Sequence, residues 1–416
     1  MSSQPSPQQL SFFTEADSLS ATGTDGAGSV SSRRITSIAP VRRIGTGSTS
    51  SVSTLARLKK SSTVKHRILD QYWPVYLKII GKYNTELCYV DCFAGPGRYM
   101  VGDSEVDGSP VLAVRAAIEY CVKSPHRRIT MHFIENHMPT VRQLEHHLQQ
   151  LQPYPINLHV HTHHGDSNEK VEELLTCLPA RMPAFFFIDP YGYPLSIAVT
   201  NRILNRPQNE VLVNLMWCKI QPHLYNPKAR NRITRYFGNE DWRTESFMRA
   251  RGATRERGFL DYVCSQLDAE YFCPFTVLMD EREDPLRGTK YYLLHASNHP
   301  TAARKMNDVM WPLGDEPGTF RYSASERGIL IPQTVDLHQL GAILLRDFMS
   351  QTVSFAALLQ RTCDLRYTEK HYRAAIKLLC RENTVRQDGW VEVRHTTPTR
   401  RTDAIRPMDE ITFSPF

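Results

Sequence analysis

Apolar residues recur along the chain at two different periods, and the places where the period changes mark out the elements. From Lys65 the three- and four-residue steps of Ile68, Leu69, Tyr72, Trp73, Tyr76, Leu77, Ile80 and Tyr83 predict an amphipathic helix. The run Leu87 to Val90 then reads as a buried strand that stops at Asp91 and turns through Gly95-Pro96-Gly97. Strands are predicted again at Ile129 to Ile134, Ile156 to His161, Ala184 to Ile188 and Glu210 to Trp217. Helices lie between them: one opened by Ser109 as N-cap with Pro110 after it, one around Val141 to Leu151, and one over Leu195 to Leu204. Such alternation predicts a mostly parallel sheet covered by helices. Phe275 to Leu278 and Tyr291 to Ala296, separated by Asp284-Pro285 and Gly288, predict an antiparallel pair that completes the sheet, followed by a helix around Ala302 to Met310.

The two flanks differ from this middle. Residues 1–60 are rich in Ser, Thr, Gly and Gln and hold too few large apolar side chains to offset the entropy of ordering, so a disordered tail is expected. Its basic pairs Arg33-Arg34, Arg42-Arg43 and Lys59-Lys60 suit either contact with nucleic acid or plain solvation. Residues 320–416 form a separate module with helices at Leu337 to Gln351, Phe355 to Leu359 and Thr368 to Arg381 and a hairpin centred on Asp388-Gly389, a pattern that suggests a winged helix. Lys370, Arg373 and Lys377 share one face of its third helix, and Arg386 and Arg394 lie in the wing, as duplex contact requires. A protein-binding role for the same module stays open.

The chemistry gathers at strand ends. Asp91 and Asp189 each close an apolar run, and two acidic strand ends can share one crevice at the carboxyl edge of a sheet. Gly95 and Gly97 allow a tight turn and close approach of a ligand to the backbone. The long connection Arg98 to Gly108 makes Arg98 and Tyr99 candidates to face a substrate. Glu135 and Asp166 also stand at strand ends, where each can meet a ligand or cap the next helix. His159, His161, His163 and His164 invite a metal site, but no carboxylate or cysteine at ligand spacing supports one. Residues 219–258 hold a polar insertion in which Arg230, Arg232, Arg235, Arg243, Arg249, Arg251, Arg255 and Arg257 alternate with Tyr225, Tyr236, Phe237 and Trp242. That mixture fits a phosphate-tracking, base-stacking surface, although Glu240, Asp241, Glu245 and Glu256 fit an ordinary solvated insertion equally well.

Asp91-Cys92-Phe93-Ala94-Gly95-Pro96-Gly97 followed by Asp189-Pro190-Tyr191 resembles the S-adenosylmethionine site and catalytic motif of amino-methylating class I methyltransferases. Asp189-Pro190-Tyr191-Gly192-Tyr193-Pro194 departs from the Asp-Pro-Pro-Tyr of adenine-N6 enzymes and is more similar to the Asp-Pro-Phe/Tyr-Gly-x-Pro of tRNA guanine-N2 dimethyltransferases. Over roughly residues 61–310 the chain resembles the bacterial three-Cys-motif partner proteins (TcmP), through Lys65-His66, the Asp91 to Gly97 turn, Gly108-Ser109-Pro110 and Phe187 to Gly192 in that order. The resemblance implies an α/β, Rossmann-like class I methyltransferase fold over residues 61–315. It implies S-adenosylmethionine as cofactor, with Lys65, His66, Asp91, Phe93, Ala94, Gly95, Gly97, Glu135 and Asp166 around it, although Lys65-His66 also reads as a surface dipeptide on a helix's first turn. It implies Asp189, Pro190 and Tyr191 as a catalytic group acting on an exocyclic amine of a nucleic-acid base. Asp189-Pro190 also reads as a bare helix cap. A non-catalytic subunit that holds nucleic acid or cofactor for a three-cysteine-motif partner enzyme is the second reading. A nuclease is a third, weakened because the acidic strand ends form no recognisable metal cluster.

Charge and cysteine usage alter this picture only in part. The net charge of +7 comes from residues 1–60, with seven Lys/Arg against three Asp/Glu, and residues 320–416, with fourteen against eleven; the middle is balanced at 29 against 29. Phosphate binding by the middle domain must therefore be local. Nine cysteines occur without a Cys-x-x-Cys pair, so neither a zinc ribbon nor a disulfide framework fits, and a three-cysteine motif would belong to the partner. No apolar stretch reaches the length of a membrane span, and a cytoplasmic protein without membrane partners is expected.

Overall fold

The computed structural model describes residues 60–279, 288–314, 321–322, 335–362, 365, 367–383, 389–396 and 404–415. The tail expected over residues 1–60, the Asp284-Pro285 turn, Arg386 and Asp388 lie outside them, save for Lys60 itself.

One large sheet organises the chain. Its strands are β1 (Glu86–Asp91), β4 (Arg128–Glu135), β5 (Leu158–His164), β6 (Ala184–Ile188), β7 (Glu210–Leu215), β8 (Tyr271–Leu278), β9 (Thr289–Ser297) and β10 (Arg321–Tyr322). Their spatial order is β5-β4-β1-β6-β7-β9-β8-β10. All run parallel except β9, which lies antiparallel between β7 and β8 and forms with β8 the expected pair. The chain starts in the middle at β1, builds outward to β5, then returns to place β6 on the other side of β1. Strands β6, β7 and β9 are buried along their whole length, which is why their sequences are dominated by apolar residues on both faces.

Helices cover both faces. On one lie α1 (Lys60–Ile80), α2 (Ser109–Lys123), α3 (Met138–Gln149) and α10 (Pro300–Met310); on the other lie α4 (Ser167–Cys177) and α5 (Ile197–Leu204). The stripe predicted for α1 is interior from Ile68 to Ile80, with Ile68, Leu69, Trp73 and Leu77 fully buried, while Tyr83 falls past the helix's end at Ile80 and is half-buried. Trp73 stacks on Tyr76 and Phe185, and its Nε1 donates to the Ala113 carbonyl at 3.2 Å, tying α1 to both the sheet and α2. Truncating a buried tryptophan of this kind costs about 3–5 kcal/mol.

Three expectations change. The connection after Gly97 is a β-hairpin, β2 (Arg98–Val101) with β3 (Ser104–Asp107), since Tyr99 and Val106 face each other in an antiparallel register that closes at Gly102 with φ +60°. Gly108, with no side chain to cap, takes the N-cap position of α2, and Ser109 is the buried first helical residue. The insertion, comprising α6 (Trp217–Ile220), α7 (Arg230–Phe237), α8 (Ser246–Arg249) and α9 (Gly252–Gln266), uses most of its aromatics as core. Tyr236, Phe237 and Trp242 are buried, and Tyr225 alone of the four is exposed.

The C-terminal part runs α11 (Leu337–Phe348), β11 (Gln351–Ser354), α12 (Phe355–Arg361), α13 (Glu369–Glu382), β12 (Trp390–Arg394) and β13 (Glu410–Ser414). Its antiparallel sheet has the order β11-β13-β12. The first arm of the hairpin expected about Asp388-Gly389 lies outside the described residues; β12, on its far side, pairs antiparallel with β13. No helix among the described residues is long and apolar enough to cross a membrane.

Three histidines meet beside the sheet edge. His132 Nδ1 lies 2.9 Å from His163 Nε2, its ring stacks on His161, and its Nε2 is buried without a hydrogen-bond partner. Among the described residues no group of three or more His, Cys, Asp or Glu side chains is placed to hold a metal ion. Burial, with smaller contributions from His163 and His161, lowers the pKa of His132 to about 3. The unfolded chain takes up this proton near pH 6.5 and the folded chain does not, so stability present above that pH is lost as pH falls below it. The melting temperature is expected to drop between pH 7.5 and 5.0, and His132→Leu to flatten part of that drop. An unchanged slope in the variant would contradict the assignment.

Candidate functional site

The carboxyl ends of β1 and β6 are neighbours, with Asp91 opposite Phe187, and it is between these two strands that the sheet's winding reverses. At such a switch point the loops diverge to opposite faces and leave a crevice. Asp189, two residues beyond Phe187, projects there. Lys65 of α1 reaches it with Nζ 2.7 Å from Oδ1 and 2.6 Å from Oδ2, and Asn214 of β7 donates from Nδ2 to Oδ1 at 2.7 Å. Lys65 and Asp189 are only 13% and 11% exposed, so the pair is a desolvated one. Asn214 is missed by sequence reasoning; its one signal is a polar residue inside Val211 to Met216, an otherwise apolar run.

Asp91 is fully buried. The Phe93 N–H donates to its Oδ1 at 3.2 Å, while Oδ2 has no hydrogen-bond partner. Burial raises its pKa to about 7; the Ser109 hydroxyl opposes that rise and the Asp189 charge adds to it. Asn214 Oδ1 is a second buried acceptor without a donor. Unpaired buried acceptors are costly, so two beside one carboxylate mark a place suited to a donor-bearing ligand.

The glycine turn is fixed around these groups. Gly95 and Gly97 have φ of +64° and +86°. A Cβ on Gly95 would strike the Tyr99 hydroxyl, and one on Gly108 would come within 2.7 Å of the Tyr99 ring, so both glycines make room for Tyr99. Burial raises the Tyr99 pKa, and so do the charges of Asp189, Asp91 and Glu135, so its hydroxyl sits among three acidic strand ends. Glu135 accepts from the Gly95 N–H at 3.1 Å and the His137 N–H at 2.8 Å, which binds the turn to β4. Ala94 is buried and donates to the Ile134 carbonyl at 2.9 Å; Phe93 packs on the apolar core. His66 is buried with its ring 6.2 Å from that of Tyr99, and burial together with the Lys65 charge lowers its pKa to about 4, against a smaller opposing pull from Asp189. Asp166 is the N-cap of α4, accepting from the Asn168 and Glu169 N–H groups. Arg98 braces the hairpin through Asp107 at 3.1 Å and Gln150 at 2.9 Å.

Beyond Asp189 the chain turns outward. Pro190 is buried, whereas Tyr191 is 82% exposed with Lys219 Nζ 5.4 Å from its ring centre. Tyr193 stacks on His223 and bonds to its Nδ1 at 3.1 Å. Of the basic residues expected to touch nucleic acid, Lys370, Arg373 and Lys377 lie on α13 and Arg394 on β12, and Arg386 lies outside the described residues. Arg373 ion-pairs with Glu369, donates to the Ile405 carbonyl at 2.9 Å and covers Phe355. Arg394 lies 3.6 Å from Glu410, Lys370 is exposed and Lys377 half-buried. The first turn of α13 is docked on the sheet domain, His371 against Trp311 at 4.6 Å and Glu369 to Lys305 at 3.5 Å.

The strand order and directions define a Rossmann-like fold of the methyltransferase type, with a mostly parallel sheet and one antiparallel strand near its edge. No family model and no curated protein matches the chain. Several solved structures are remotely similar to the chain. A Legionella pneumophila protein described as DUF519 has 14% identity and a TM-score of 0.36 over 58% of this chain and 85% of its own. A SAM-dependent methyltransferase from Agrobacterium tumefaciens has 8% identity and a TM-score of 0.32 over 58% of this chain and 63% of its own. Human methyltransferase-like protein 13, solved in complex with SAH, has 12% identity and a TM-score of 0.29 over 61% and 92%.

Because Asp91 takes a proton more readily when folded than its ordinary pKa of 3.8 allows, its contribution to stability is full below that value and is lost as pH rises through about 7. Asp91→Asn is expected to melt higher than the wild type at pH 8, with the advantage shrinking toward pH 5. A variant that melts lower at pH 8 would show that the carboxylate is stabilised there.

Proposed function

We propose that the protein is an S-adenosylmethionine-dependent methyltransferase acting on an exocyclic amine of a nucleic-acid base. The observation that carries the reading is the pair Asp91 and Asp189 on adjacent strand ends at the switch point, one beside a glycine turn and the other beside an exposed tyrosine. The residues fit the cofactor. Asp91 Oδ2 lacks a donor, Glu135 stands at the end of β4 with its carboxylate against the turn, and both suit ammonium or hydroxyl donors. When bound, S-adenosylmethionine supplies a methyl group on a sulfonium, whose leaving sulfur becomes a neutral thioether.

The chain's own residues then have definable tasks. An exocyclic amine is a poor nucleophile because its lone pair is delocalised into the ring. Asp189 Oδ2 and the Pro190 carbonyl can hold its two hydrogens and stabilise positive charge growing on nitrogen as it is methylated. Asn214 and Lys65 fix the Asp189 carboxylate so that no reorganisation is needed at that moment. Tyr191 offers a free ring face for the base. We read the C-terminal module, with its α-β-α-α-β-β order, as a winged helix.

One observation favours a second reading, a non-catalytic subunit serving a three-cysteine-motif partner enzyme. The Lys65 ammonium contacts both Asp189 oxygens, the same acceptors a substrate amine needs. The two readings differ in what Asp189 does. On the first, Asp189→Asn lowers methyl transfer to cellular RNA or DNA by about 10²- to 10³-fold while cofactor affinity stays within a few-fold of wild type. Because that change leaves Lys65 without its counter-charge, Lys65→Met/Asp189→Asn serves as a stability-matched control. Transfer of labelled methyl at equal rates by wild type and both variants would remove Asp189 from the chemistry, and no transfer by the wild type would leave the partner-subunit reading.

A further inference from the structure

The balanced charge of the sheet domain conceals two unequal parts. Residues 219–258 hold ten Lys/Arg against four Asp/Glu, a net of +6, whereas the rest of 61–319 holds nineteen against twenty-five, a net of −6. Two of the four acidic residues of the insertion are engaged. Glu240 is paired with Arg230 and Arg243, and Glu256 turns inward, accepting from Thr289 at 2.5 Å and Tyr292 at 2.9 Å. The surplus is carried outward. Lys219, Lys228, Arg232, Arg235, Arg249 and Arg251 are exposed, and none forms an ion pair among the described residues. Meanwhile Tyr236, Phe237, Trp242 and Phe247 anchor the insertion to the core, so its basic side chains project from a packed base.

This surface is continuous with the crevice. The insertion follows β7, the strand that carries Asn214, and its first residues reach the catalytic loop directly. Lys219 lies over the ring of Tyr191, His223 stacks on Tyr193, and Tyr236 packs 6.1 Å from Tyr193. The charge of Arg232 is felt at the Tyr193 hydroxyl. One end of the basic surface therefore touches the two tyrosines that flank Asp189. The C-terminal helix offered for the same task by the sequence pattern has its first turn docked on the sheet domain and Arg373 engaged internally.

We propose that residues 219–251 are the polynucleotide-binding surface of this protein, with the exposed Lys and Arg of the insertion tracking phosphates and Tyr191 receiving an unpaired base beside Asp189. The inference rests on the proposed function for the identity of the polymer, yet it is tested by binding and not by catalysis. The partner it fits is a single-stranded or locally unpaired polynucleotide. Phosphates supply the affinity to lysine and arginine, and an exposed ring accepts any base that is out of a stack.

The test uses the full chain and fluorescent oligonucleotides, single-stranded RNA, single-stranded DNA and duplex, over 50–200 mM salt. Lys228→Gln/Arg232→Gln/Arg235→Gln removes three exposed charges at sites with no internal role, and its melting curve should match that of the wild type. Affinity for the preferred single strand is expected to fall at least tenfold and the salt slope to decrease by about 2–3, since each phosphate contact contributes about 0.7–0.9. Lys228→Arg/Arg232→Lys/Arg235→Lys, which keeps the charges, should bind within about threefold of wild type. Lys370→Gln/Lys377→Gln should bind as wild type. The proposal is overturned if the insertion variant binds as tightly as wild type, if the C-terminal variant loses the affinity instead, or if duplex binds as well as single strands. Methyl transfer to cellular RNA and DNA is measured separately: a wild type that grips oligonucleotides through the insertion but methylates neither polymer keeps this surface and discards the methyltransferase reading.

Discussion

Two carboxylates forced together out of water are the constraint on which this structure turns. Asp91 and Asp189 end neighbouring parallel strands, and nothing in the sheet itself separates them. In a low-dielectric crevice like charges at such places oppose one another, and the fold answers in two ways. Asp91, chiefly through burial and with the Asp189 charge adding to it, holds its proton to near neutrality, and Asp189 is given a lysine and an amide. The lysine comes from α1, whose seating depends on Trp73, Tyr72 and Tyr76 packed over β1 and β6. An apolar helix stripe thereby sets the electrostatics of a polar site more than a hundred residues away in sequence.

Much of this was legible in the chain. The periodicity located β1, β6 and β7, because strands buried on both faces must be written as unbroken apolar runs, and α1, because a single packed stripe must repeat every three to four residues; the partly exposed β5 runs Leu158–His164, shifted from the expected Ile156 to His161, and β8 begins at Tyr271, before the expected Phe275. The acidic strand ends stood out for the same reason, as charges that interrupt apolar text. What could not be read were features set by tertiary contact. The hairpin β2-β3 turns on Gly102-Asp103, a two-residue hairpin signal, but its strands are only four residues each and hold no apolar alternation strong enough to single them out; Tyr99 packs against the Gly95 and Gly108 backbone. Asn214 escaped notice because one polar residue within an apolar strand does not reveal that it faces a carboxylate on the neighbouring strand's loop. The aromatics of the insertion looked like a stacking surface, because composition gives no sign of which face a helix buries; three of the four anchor it instead.

The distribution of charge follows from the same division between inside and outside. The sheet domain without its insertion is acidic and the insertion is basic. The insertion's buried aromatics hold it against the loop after β6, so on the proposal above the site a polyanion would favour is fixed beside that loop. The C-terminal module, bound to the sheet domain through Trp311, Tyr367 and His371, has a fixed relation to that surface through these contacts.

The central claim is that the crevice between β1 and β6 exists to hold S-adenosylmethionine. Isothermal calorimetry of the full-length protein with S-adenosylmethionine tests it without reference to any acceptor. The account predicts a single saturable site, one equivalent per chain, competed by the demethylated product. No detectable heat at protein and ligand concentrations where such sites saturate, with the protein shown to be folded by its melting transition, would contradict it.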